Sequence, residues 1–483
     1  MASGSLIGWA IGIAVPILEL LGILSALDAV MHARTPQGSA AWAIALVLMP
    51  IVALPVYWVF GRSRFSNYVK VLRAFDAEVD ARLERAREEL TGWIVPPEEA
   101  GDVRTESELR GFARLSQIPF MRGNSLRLLV DGEATFEAIL SAIDAAEDYV
   151  LAQFYIIHDD DLGCAFQRAL LDAAARGVRV SLLYDEVGSQ GLPGRYSRML
   201  REAGVHVSGF SGERGWLGRF RLNFRNHRKI VVADGRVGFT GGLNVGDEYL
   251  GHDKRLSPWR DTHLEIRGPA VQGLQLSFVR DWYYGQGDVP ETRWTLEASE
   301  RDQHALVLSS GPSDRLETCG LLYTLAINAA EDRVWIASPY FVPDGRVLGA
   351  LQSAALRGVD VRVIMPRMVD SWVFKFVPYA FLPDVERAGG QVYLYEEGFM
   401  HQKVILVDDA YAGVGTANFD NRSFMLNFEI TCLAHDAAFC ADVEAMLEAD
   451  LARSTRLTEE DLTGRPFLFR LAAQSTRMLS PVL

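Results

Sequence analysis

The chain has 483 residues, and its 62 acidic side chains outnumber its 48 lysines and arginines, giving a net charge of −14 at pH 7. This length is too great for one ordinary domain and is sufficient for more than one hydrophobic core. The acidic balance argues against a DNA or RNA substrate, and the four cysteines lack zinc-site or disulfide spacing, so no metal or other cofactor is predicted.

Two apolar segments at the N-terminus are each long enough to cross a bilayer. Residues 6–30 are interrupted only by Glu19 and Asp28, and residues 40–60 contain no charged side chain. Each segment is close to the ~20 residues that a spanning helix needs. A pair of buried core helices is the alternative, and the uncharged length of the second segment disfavours it.

These segments predict a transmembrane helical hairpin over residues 1–64 that is retained in the mature protein. Residues 1–5 lack the basic side chains of a secretory signal, and a second apolar segment follows the first. Pro50 and Pro55 are expected to kink the second span, which membrane helices tolerate. Glu19 inside the first span is compatible with a partner contact, including association between copies of the chain.

Basic residues near the span ends predict the orientation of the hairpin. Arg62, Arg64, Lys70 and Arg73 follow the second span, whereas Arg34 alone lies in the connecting turn. Because positive charge favours the cytoplasmic side, the large C-terminal part is expected in the cytosol. With two crossings, the N-terminus is expected there too.

Residues 65–120 are predicted to connect the membrane to the rest of the protein. Apolar residues recur at three- and four-residue intervals from 68 to 90, which is typical of an amphipathic helix. Pro96 and Pro97 are expected to end this helix.

The remainder of the chain contains an internal repeat in which helical segments alternate with apolar strands. Two α/β modules are therefore predicted, at residues 121–300 and 301–483. The matching pairs of segments are 142–155 with 326–340 and 175–180 with 356–361.

Each module carries one copy of the same short pattern with identical spacing. The copies are His227, Lys229, Asp234, Gly241, Gly242 and Asn244, then His401, Lys403, Asp408, Gly415, Thr416 and Asn418. Alternation along a strand places the histidine and the lysine of each copy on one face. Because each module supplies one histidine, a single active site is expected where the modules meet.

A pair of histidines with neighbouring lysines suits phosphoryl transfer. One imidazole can attack phosphorus while the second protonates the leaving alkoxide, which permits a phosphohistidine cycle without a metal. Lys229 and Lys403 can bind the nonbridging phosphate oxygens, and Asn244 and Asn418 can add neutral donors.

Several acidic residues accompany the histidines. Asp261 and Glu429 occupy equivalent positions in the repeat and are candidates to fix the histidine tautomers. Asp234 and Asp408 belong to the catalytic pattern, although each is followed by a turn, where an aspartate often serves only to shape the backbone. Glu248 is a further acid near the first copy of the pattern.

The doubled pattern of His-x-Lys followed by Asp resembles the phospholipase D superfamily, and the wider sequence resembles its bacterial cardiolipin synthases. The stretches that carry the resemblance are 222–229, 241–250, 259–263, 338–344 and 415–429. The resemblance implies two phospholipase D-like α/β modules sharing one central active site. It also implies a multi-pass protein of the bacterial inner membrane.

The resemblance further implies the reaction. Two phosphatidylglycerol molecules would give cardiolipin and glycerol, with His227 as nucleophile and His401 as general acid and base. A hydrolytic phospholipase D, a transphosphatidylase with another acceptor, and a nuclease of the same superfamily are the alternatives.

A basic and aromatic segment precedes the first histidine, within an otherwise acidic protein. Arg221, Arg225 and Arg228 are candidates to bind the headgroups of phosphatidylglycerol and other anionic phospholipids. A solvated basic loop is the alternative interpretation for Arg221 and Arg225.

Overall fold

The computed structural model describes residues 2–32, 36–61, 89–210, 224–372 and 374–480, together with 68, 69, 71 and 75. Two compact units are present. The N-terminal unit contains residues 1–70 and 211–225, and the main unit contains residues 71–210 and 226–483.

The N-terminal unit is built from closely packed apolar helices. They are α1 (Ala2–His32), α2 (Pro36–Leu48) and α3 (Pro50–Val56), followed by one π-helical turn (Tyr57–Gly61). Helices α1 and α2 are antiparallel, because Ser39 at the start of α2 contacts Ala29 near the end of α1, whereas Leu46 near the end of α2 lies beside Gly22. At Gly22 a Cβ would lie 2.4 Å from the Leu46 carbonyl oxygen, so the absent side chain permits this approach.

The outer face of this unit is apolar, which suits a lipid environment. Ile13 and Ile44 are 59% and 60% exposed. Within the described residues, Gly12–His32 is long and apolar enough to cross a membrane.

The second predicted span, residues 40–60, does not form one continuous helix. Met49 leaves the helical conformation, with φ −138°, and the chain turns back at Pro50, which lacks an amide donor. As a result the rings of Trp42 and Tyr57 lie 5.2 Å apart, and the Tyr57 hydroxyl donates to Asp28 at 2.8 Å. The predicted kink is thus a reversal, and two full crossings stay a prediction.

The first half of the main unit begins with helix α4 (Val103–Leu115). Its further helices are α5 (Asp131–Asp144), α6 (Asp161–Ala175), α7 (Gly194–Glu202) and α8 (Val271–Gln286). Its strands are β1 (Met121–Val130), β2 (Tyr149–Phe154), β3 (Arg179–Asp185), β4 (His206–Phe210), β5 (Arg225–Asn226), β6 (Ile230–Ala233), β7 (Val237–Gly241), β8 (Trp259–Arg260) and β9 (Thr262–Arg267).

The second half repeats this succession of elements. Its helices are α9 (Thr318–Ala329), α10 (Gly345–Leu356), α11 (Val377–Glu386), α12 (Asn421–Met425), α13 (Ala437–Leu451), α14 (Glu459–Thr463) and α15 (Phe467–Thr476). Its strands are β10 (Gln303–Ser310), β11 (Arg333–Ala337), β12 (Phe341–Val342), β13 (Asp360–Pro366), β14 (Gln391–Tyr395), β15 (Phe399–Met400), β16 (Val404–Val407), β17 (Tyr411–Gly415), β18 (Phe419–Asp420), β19 (Asn427–His435) and β20 (Ser454–Leu457).

The strand order confirms two α/β modules of one topology. Outward from the centre, the first module has the order β1-β9-β7-β6-β2-β3-β4, and the second has β10-β19-β17-β16-β11-β13-β14-β20. Strands β1 and β10 pair antiparallel and join the two halves into one continuous sheet. The edge strand β20 is the only difference between these two orders.

Each module has its own hydrophobic core, one built around Phe166 and Val231 and the other around Phe341 and Ile405. Helix α4 adds Phe112 to the core of the second module. Most of the amphipathic helix predicted over 68–90 lies outside the described residues.

Candidate active site

The two histidines occupy equivalent places in the modules. His227 lies between β5 and β6, and His401 lies between β15 and β16. The backbone amide of His227 donates to the Phe428 carbonyl oxygen at 2.9 Å, and that of His401 donates to the Arg260 carbonyl oxygen at 2.7 Å. Phe428 belongs to β19 and Arg260 to β8, so each module holds the other module's histidine loop.

Each histidine is also paired with a carboxylate from the opposite module. Nδ1 of His227 lies 3.0 Å from Glu429, and Nδ1 of His401 lies 2.8 Å from Asp261. Both carboxylates are completely buried. Each histidine–carboxylate pair therefore needs both modules, and the two pairs are close enough that the charge of the lysine of each copy acts on the histidine of the other.

Further contacts hold the two carboxylates in place. The Thr416 hydroxyl and the Asn427 amide donate to Glu429 at 2.5 and 3.0 Å. The Thr262 amide donates to Asp261 at 2.8 Å. At Gly242, the equivalent of Thr416, a Cβ would lie 1.9 Å from Asp261, so this position has no space for a side chain.

Burial sets the protonation of the four groups. It lowers the pKa of His227 to about 4 and that of His401 to about 3, against the opposing effect of their carboxylate partners. Burial alone would raise the pKa of Glu429 and Asp261, but the adjacent histidines and lysines lower both. At neutral pH each imidazole is therefore neutral. The Glu429 carboxylate favours the Nδ1–H tautomer of His227, whereas Nδ1 of His401 lies 2.8 Å from both Asp261 and Nζ of Lys403.

The lysines of the pattern lie next to the histidines. Nζ of Lys229 donates to the His227 carbonyl oxygen at 2.8 Å, and Nζ of Lys403 donates to that of His401. Burial lowers the pKa of Lys403 to about 8, against the opposing charges of Asp261 and Glu429. Burial also lowers the pKa of Lys229 well below its ordinary value. Both Nζ atoms are thus held beside the imidazoles, where an anionic phosphate would favour their charged forms.

Acid should destabilise the folded main unit through its buried histidines. In the unfolded chain a histidine has a pKa near 6.5, whereas burial lowers the pKa of His227 to about 4 and of His401 and His263 to about 3. Below pH 6.5 the unfolded state therefore binds protons that the folded state excludes. We expect the free energy of unfolding to fall by roughly 1.5 kcal/mol per histidine between pH 6.5 and 5.

Denaturant titration in detergent at several pH values measures this loss. His263→Phe should reduce the pH dependence of the free energy of unfolding by the contribution of one bound proton, because the His263 ring is fully buried on β9. His158→Gln is the control, because a hydrogen bond to Glu248 raises the pKa of His158 and its removal should not reduce the slope. An unchanged slope in the His263 variant would contradict this assignment.

The two asparagines differ in their contacts. Asn244 accepts from the Ile156 amide at 3.1 Å and donates to the Tyr249 hydroxyl at 2.9 Å, so its amide fixes the protein scaffold. The Oδ1 atom of Asn418 is buried and has no hydrogen-bond partner among the described residues. Asn418 is therefore the better placed of the two to bind a ligand.

Asp234 and Asp408 are not among the reacting groups. They lie beyond the far ends of β6 and β16, with φ of 54° and 51°. The Asp234 carboxylate accepts the three backbone amides of residues 147–149, at 2.8 to 2.9 Å. Asp408 accepts those of residues 331–333 in the same way, at 2.7 to 2.9 Å. Their place in the catalytic pattern is corrected to a structural one, because these carboxylates cap the helix-to-strand loops.

Asp234→Ala should therefore lower stability and leave chemistry intact. It removes three hydrogen bonds and places alanine at a positive φ, which should cost about 2–3 kcal/mol in the free energy of unfolding. Asp234→Asn, which tolerates this φ and keeps an acceptor oxygen, should recover part of the loss. Thermal unfolding measures stability, and the turnover per folded molecule should not change. A large loss of turnover in a stably folded Asn variant would contradict this structural role.

Glu248 belongs to a separate polar group. Its carboxylate lies 3.2 Å from Nδ1 of His158, and Asp160 is close to both. The two oxygens of Asp160 accept the backbone amides of Gly163 and Asp247 at 2.9 and 2.8 Å. This group is the one set of potential metal ligands found among the described residues, and its members already bond to one another and to the backbone.

The structure corrects the prediction that Arg228 binds headgroups. Its guanidinium is buried and donates to Asp281 at 2.7 Å and to the carbonyl oxygens of Ser310 and Glu429. Gln402, at the equivalent position, donates to Asp450 at 2.7 Å. The residue between histidine and lysine alternates to the opposite side of the strand, where it contacts the protein core.

The other two headgroup candidates stay predictions. Arg221 lies outside the described residues. Arg225 is the first residue of β5, and its guanidinium donates to the Phe224 carbonyl oxygen at 2.8 Å.

Sequence reasoning missed the aromatic rings beside the histidines. Tyr155 lies 5.0 Å from His227, and Trp259 lies 5.2 Å from His401, between ring centroids. It also missed the buried ion pair of Arg260 with Asp450, with two contacts of 2.8 Å. The position of Tyr155 at the end of a repeated strand segment was the available signal.

Comparison with known families and proteins agrees with the repeated architecture. The model described as "Cardiolipin synthase, PLD-like domain" matches residues 139–282 and 323–451. The model described as "Phospholipase D-nuclease N-terminal" matches residues 20–62.

Two curated relatives match almost the whole chain. Cardiolipin synthase A of Pseudomonas entomophila (strain L48) is 46% identical over 472 residues, covering 98% of both chains. Cardiolipin synthase A of Pseudomonas aeruginosa (strain UCBPP-PA14) is 46% identical over 466 residues, covering 96% of this chain and 95% of its own. Among solved structures, phosphatidylserine synthase of Haemophilus influenzae Rd KW20 shares the fold, with a TM-score of 0.60 and 14% identity, over 78% of this chain and 100% of its own.

Proposed function

The chain belongs to the cardiolipin synthase family of phospholipase D-type phosphatidyltransferases, and we propose that it converts two phosphatidylglycerol molecules into cardiolipin and glycerol through a phosphohistidine. The observation that carries the mechanism is the pair of buried neutral histidines, each hydrogen-bonded to a carboxylate from the other module. Such an arrangement supplies a nucleophile and a proton carrier at one phosphorus atom.

In the first step, Nε2 of His227 attacks the phosphorus of a bound phosphatidylglycerol. The N–P bond forms as the bond from phosphorus to the glycerol headgroup oxygen breaks, and His401 gives that oxygen a proton. The anionic phosphodiester raises the low pKa of His401 when it binds, which lets the imidazole carry this proton. Free glycerol leaves, and the phosphatidyl group stays on His227.

In the second step, a headgroup hydroxyl of another phosphatidylglycerol replaces the departed glycerol. His401, now neutral, removes the hydroxyl proton as the oxygen attacks phosphorus and the N–P bond breaks. Cardiolipin is released, and the proton on His401 is available to the next donor lipid.

The remaining side chains hold charge and orientation. Lys229 and Lys403 are fixed by backbone carbonyl oxygens, so their ammonium groups are preorganised for the nonbridging oxygens of the transition state. Glu429 and Asp261 keep Nδ1 protonated and stabilise the positive charge that develops on each ring. The assignment of His227 as nucleophile rests on the resemblance, because the two half-sites are nearly equivalent.

Product analysis tests the proposed function. The detergent-solubilised full chain, given phosphatidylglycerol as the sole lipid, should form cardiolipin and glycerol in equal amounts. Phosphatidic acid as the sole product would identify water as the acceptor and contradict the proposal. Double variant His227→Ala, His401→Ala is the control for contaminating activity.

We place the catalytic modules on the cytoplasmic side of the bacterial inner membrane. The apolar helix Gly12–His32 supports membrane association, and the basic residues after residue 61 support this side. Cys164 is exposed on the main unit, whereas the other three cysteines are buried. An impermeant maleimide should therefore label Cys164 in inverted vesicles but not in intact spheroplasts.

A further inference from the structure

The short helix α15 presents an apolar face to solvent. Phe467, Leu468 and Leu471 are exposed, with Leu468 at 75%, whereas Ala473 and Thr476 on the opposite side are buried. The exposed residues lie at positions i, i+1 and i+4 and therefore share one face of the helix. Exposed apolar side chains in such a cluster mark an interaction surface.

A loop after β13 carries a further exposed aromatic ring and packs against α15. Trp372 in this loop is 76% exposed. Its ring lies 6.4 Å from Phe376, whose ring lies 5.2 Å from Phe469 of α15. This aromatic series connects the loop to the helix, and we call Trp372, Phe467, Leu468 and Leu471 together the apolar rim.

The chain segments on either side of the apolar rim contact residues near the active site. Asp370 accepts the Tyr340 hydroxyl at 2.5 Å, and its charge opposes the effect of burial on the pKa of Lys403. Beyond α15, Ser480 accepts the Asn421 amide at 3.0 Å through its carbonyl oxygen. The Asn418 backbone amide donates to the Ser423 hydroxyl of the same helix, α12, at 3.1 Å, so the segment that follows the rim contacts the helix that holds Asn418.

The charge around the rim differs from that of the whole protein. Residues 464–480 contain three arginines and no acidic side chain, although the net charge of the chain is −14. Arg477 is paired with Asp384 at 2.6 Å, and Asp370 lies two residues before Trp372. Within the described residues, the basic side chains without an acidic partner are therefore those nearer the exposed apolar residues. Arg470 and Lys375 are both exposed. Basic side chains beside exposed aromatic and aliphatic ones favour an anionic lipid surface.

We propose that the apolar rim inserts into the surface of an anionic phospholipid bilayer and so brings the active site to the lipid headgroups. This inference rests on the proposed function, because only a lipid substrate requires the pocket to face a bilayer. Trp372 is suited to the headgroup level, and the α15 residues to the boundary of the acyl chains.

Kinetics of the full chain in nanodiscs test the proposal. The variant Phe467→Ser, Leu468→Ser, Leu471→Ser should raise the KM for the surface fraction of phosphatidylglycerol about tenfold or more, with kcat unchanged. Its rate with a short-chain phosphatidylglycerol below the micelle concentration should equal that of the unaltered chain. The control variant Val103→Ser, Met199→Ser, Leu356→Ser removes three apolar side chains of similar exposure, at 84%, 49% and 75%, from three different helices. A rise in KM that both variants share, or that neither shows, would overturn the proposal.

A direct contact measurement accompanies the kinetics. In a Cys164→Ser background, a polarity-sensitive fluorophore on Leu468→Cys should be quenched by brominated lipids in the nanodisc, and one on Leu356→Cys should not. Absence of quenching at position 468 would contradict insertion. Shielding of the fluorophore in detergent that increases with protein concentration would instead identify the rim as an interface between copies of the chain, and would also overturn the proposal.

The two experiments distinguish an error in the rim proposal from an error in the proposed function. If the unaltered chain forms no cardiolipin from phosphatidylglycerol, the reaction is wrong, whatever the fluorophore reports. If cardiolipin forms and position 468 is not quenched, the reaction stands and the rim proposal is wrong.

Discussion

Replacing His227 with alanine is expected to lower the rate of cardiolipin formation by at least about 10⁴-fold, because the proposed nucleophile is then absent. Replacing His401 with alanine should have a similar effect on the natural reaction, since the glycerol alkoxide then leaves without a proton. Turnover of phosphatidylglycerol therefore cannot separate the two roles.

A substrate with a better leaving group separates them. Phosphatidyl-p-nitrophenol releases an anion that needs no proton, so the His401→Ala variant should give one burst of nitrophenolate and retain a labelled phosphatidyl group. That label should be lost in acid and stable in base, as expected for an N–P bond. The His227→Ala variant should give no burst. A label trapped on His401 in the His227 variant would reverse the assignment of the nucleophile.

The fold could be predicted because the chain repeats itself. Segments 142–155 and 326–340 share a helix that leads into a buried strand, and the structure places these strands, β2 and β11, at equivalent positions in the sheet. The structure of the apolar segment 40–60 was less predictable from the sequence than that of the repeated segments. Hydropathy measures length and composition, whereas the reversal at Met49 depends on contacts such as that between Tyr57 and Asp28.

The sequence predicted which residues form the candidate site, but not which of these residues contact one another. Alignment of the repeats selected Asp261 and Glu429, yet local spacing cannot show that each carboxylate serves the histidine of the other module. Arg228 was misinterpreted because a basic residue beside a phosphate motif suggests a ligand. Its buried partner Asp281 lies 53 residues away along the chain, and only the folded structure brings the two together.

The second large expected effect arises because each carboxylate contacts the histidine of the other module. Glu429→Gln should lower turnover of phosphatidylglycerol by about 10²- to 10⁴-fold, because an amide cannot stabilise the charged ring of His227 and allows the wrong tautomer. It should also slow the nitrophenolate burst, although Glu429 belongs to the second module and the nucleophile to the first. Asp261→Asn should lower turnover to a similar extent but leave the burst intact, because Asp261 serves His401.

Thr416→Val provides a matched control for the Glu429 variant. It removes the 2.5 Å hydrogen bond to the carboxylate but keeps the carboxylate itself, so the burst should slow by about tenfold at most. Stopped-flow measurement of the burst and thermal unfolding of each variant separate chemistry from stability. If Asp261→Asn slowed the burst and Glu429→Gln spared it, His401 would be the nucleophile, provided that the label in the His227 variant is trapped on His401. Without such a label, the result would mean that each carboxylate acts on the histidine of its own module. The expected result instead makes each module's histidine depend on the other module, which is the physical reason why neither half should be active alone.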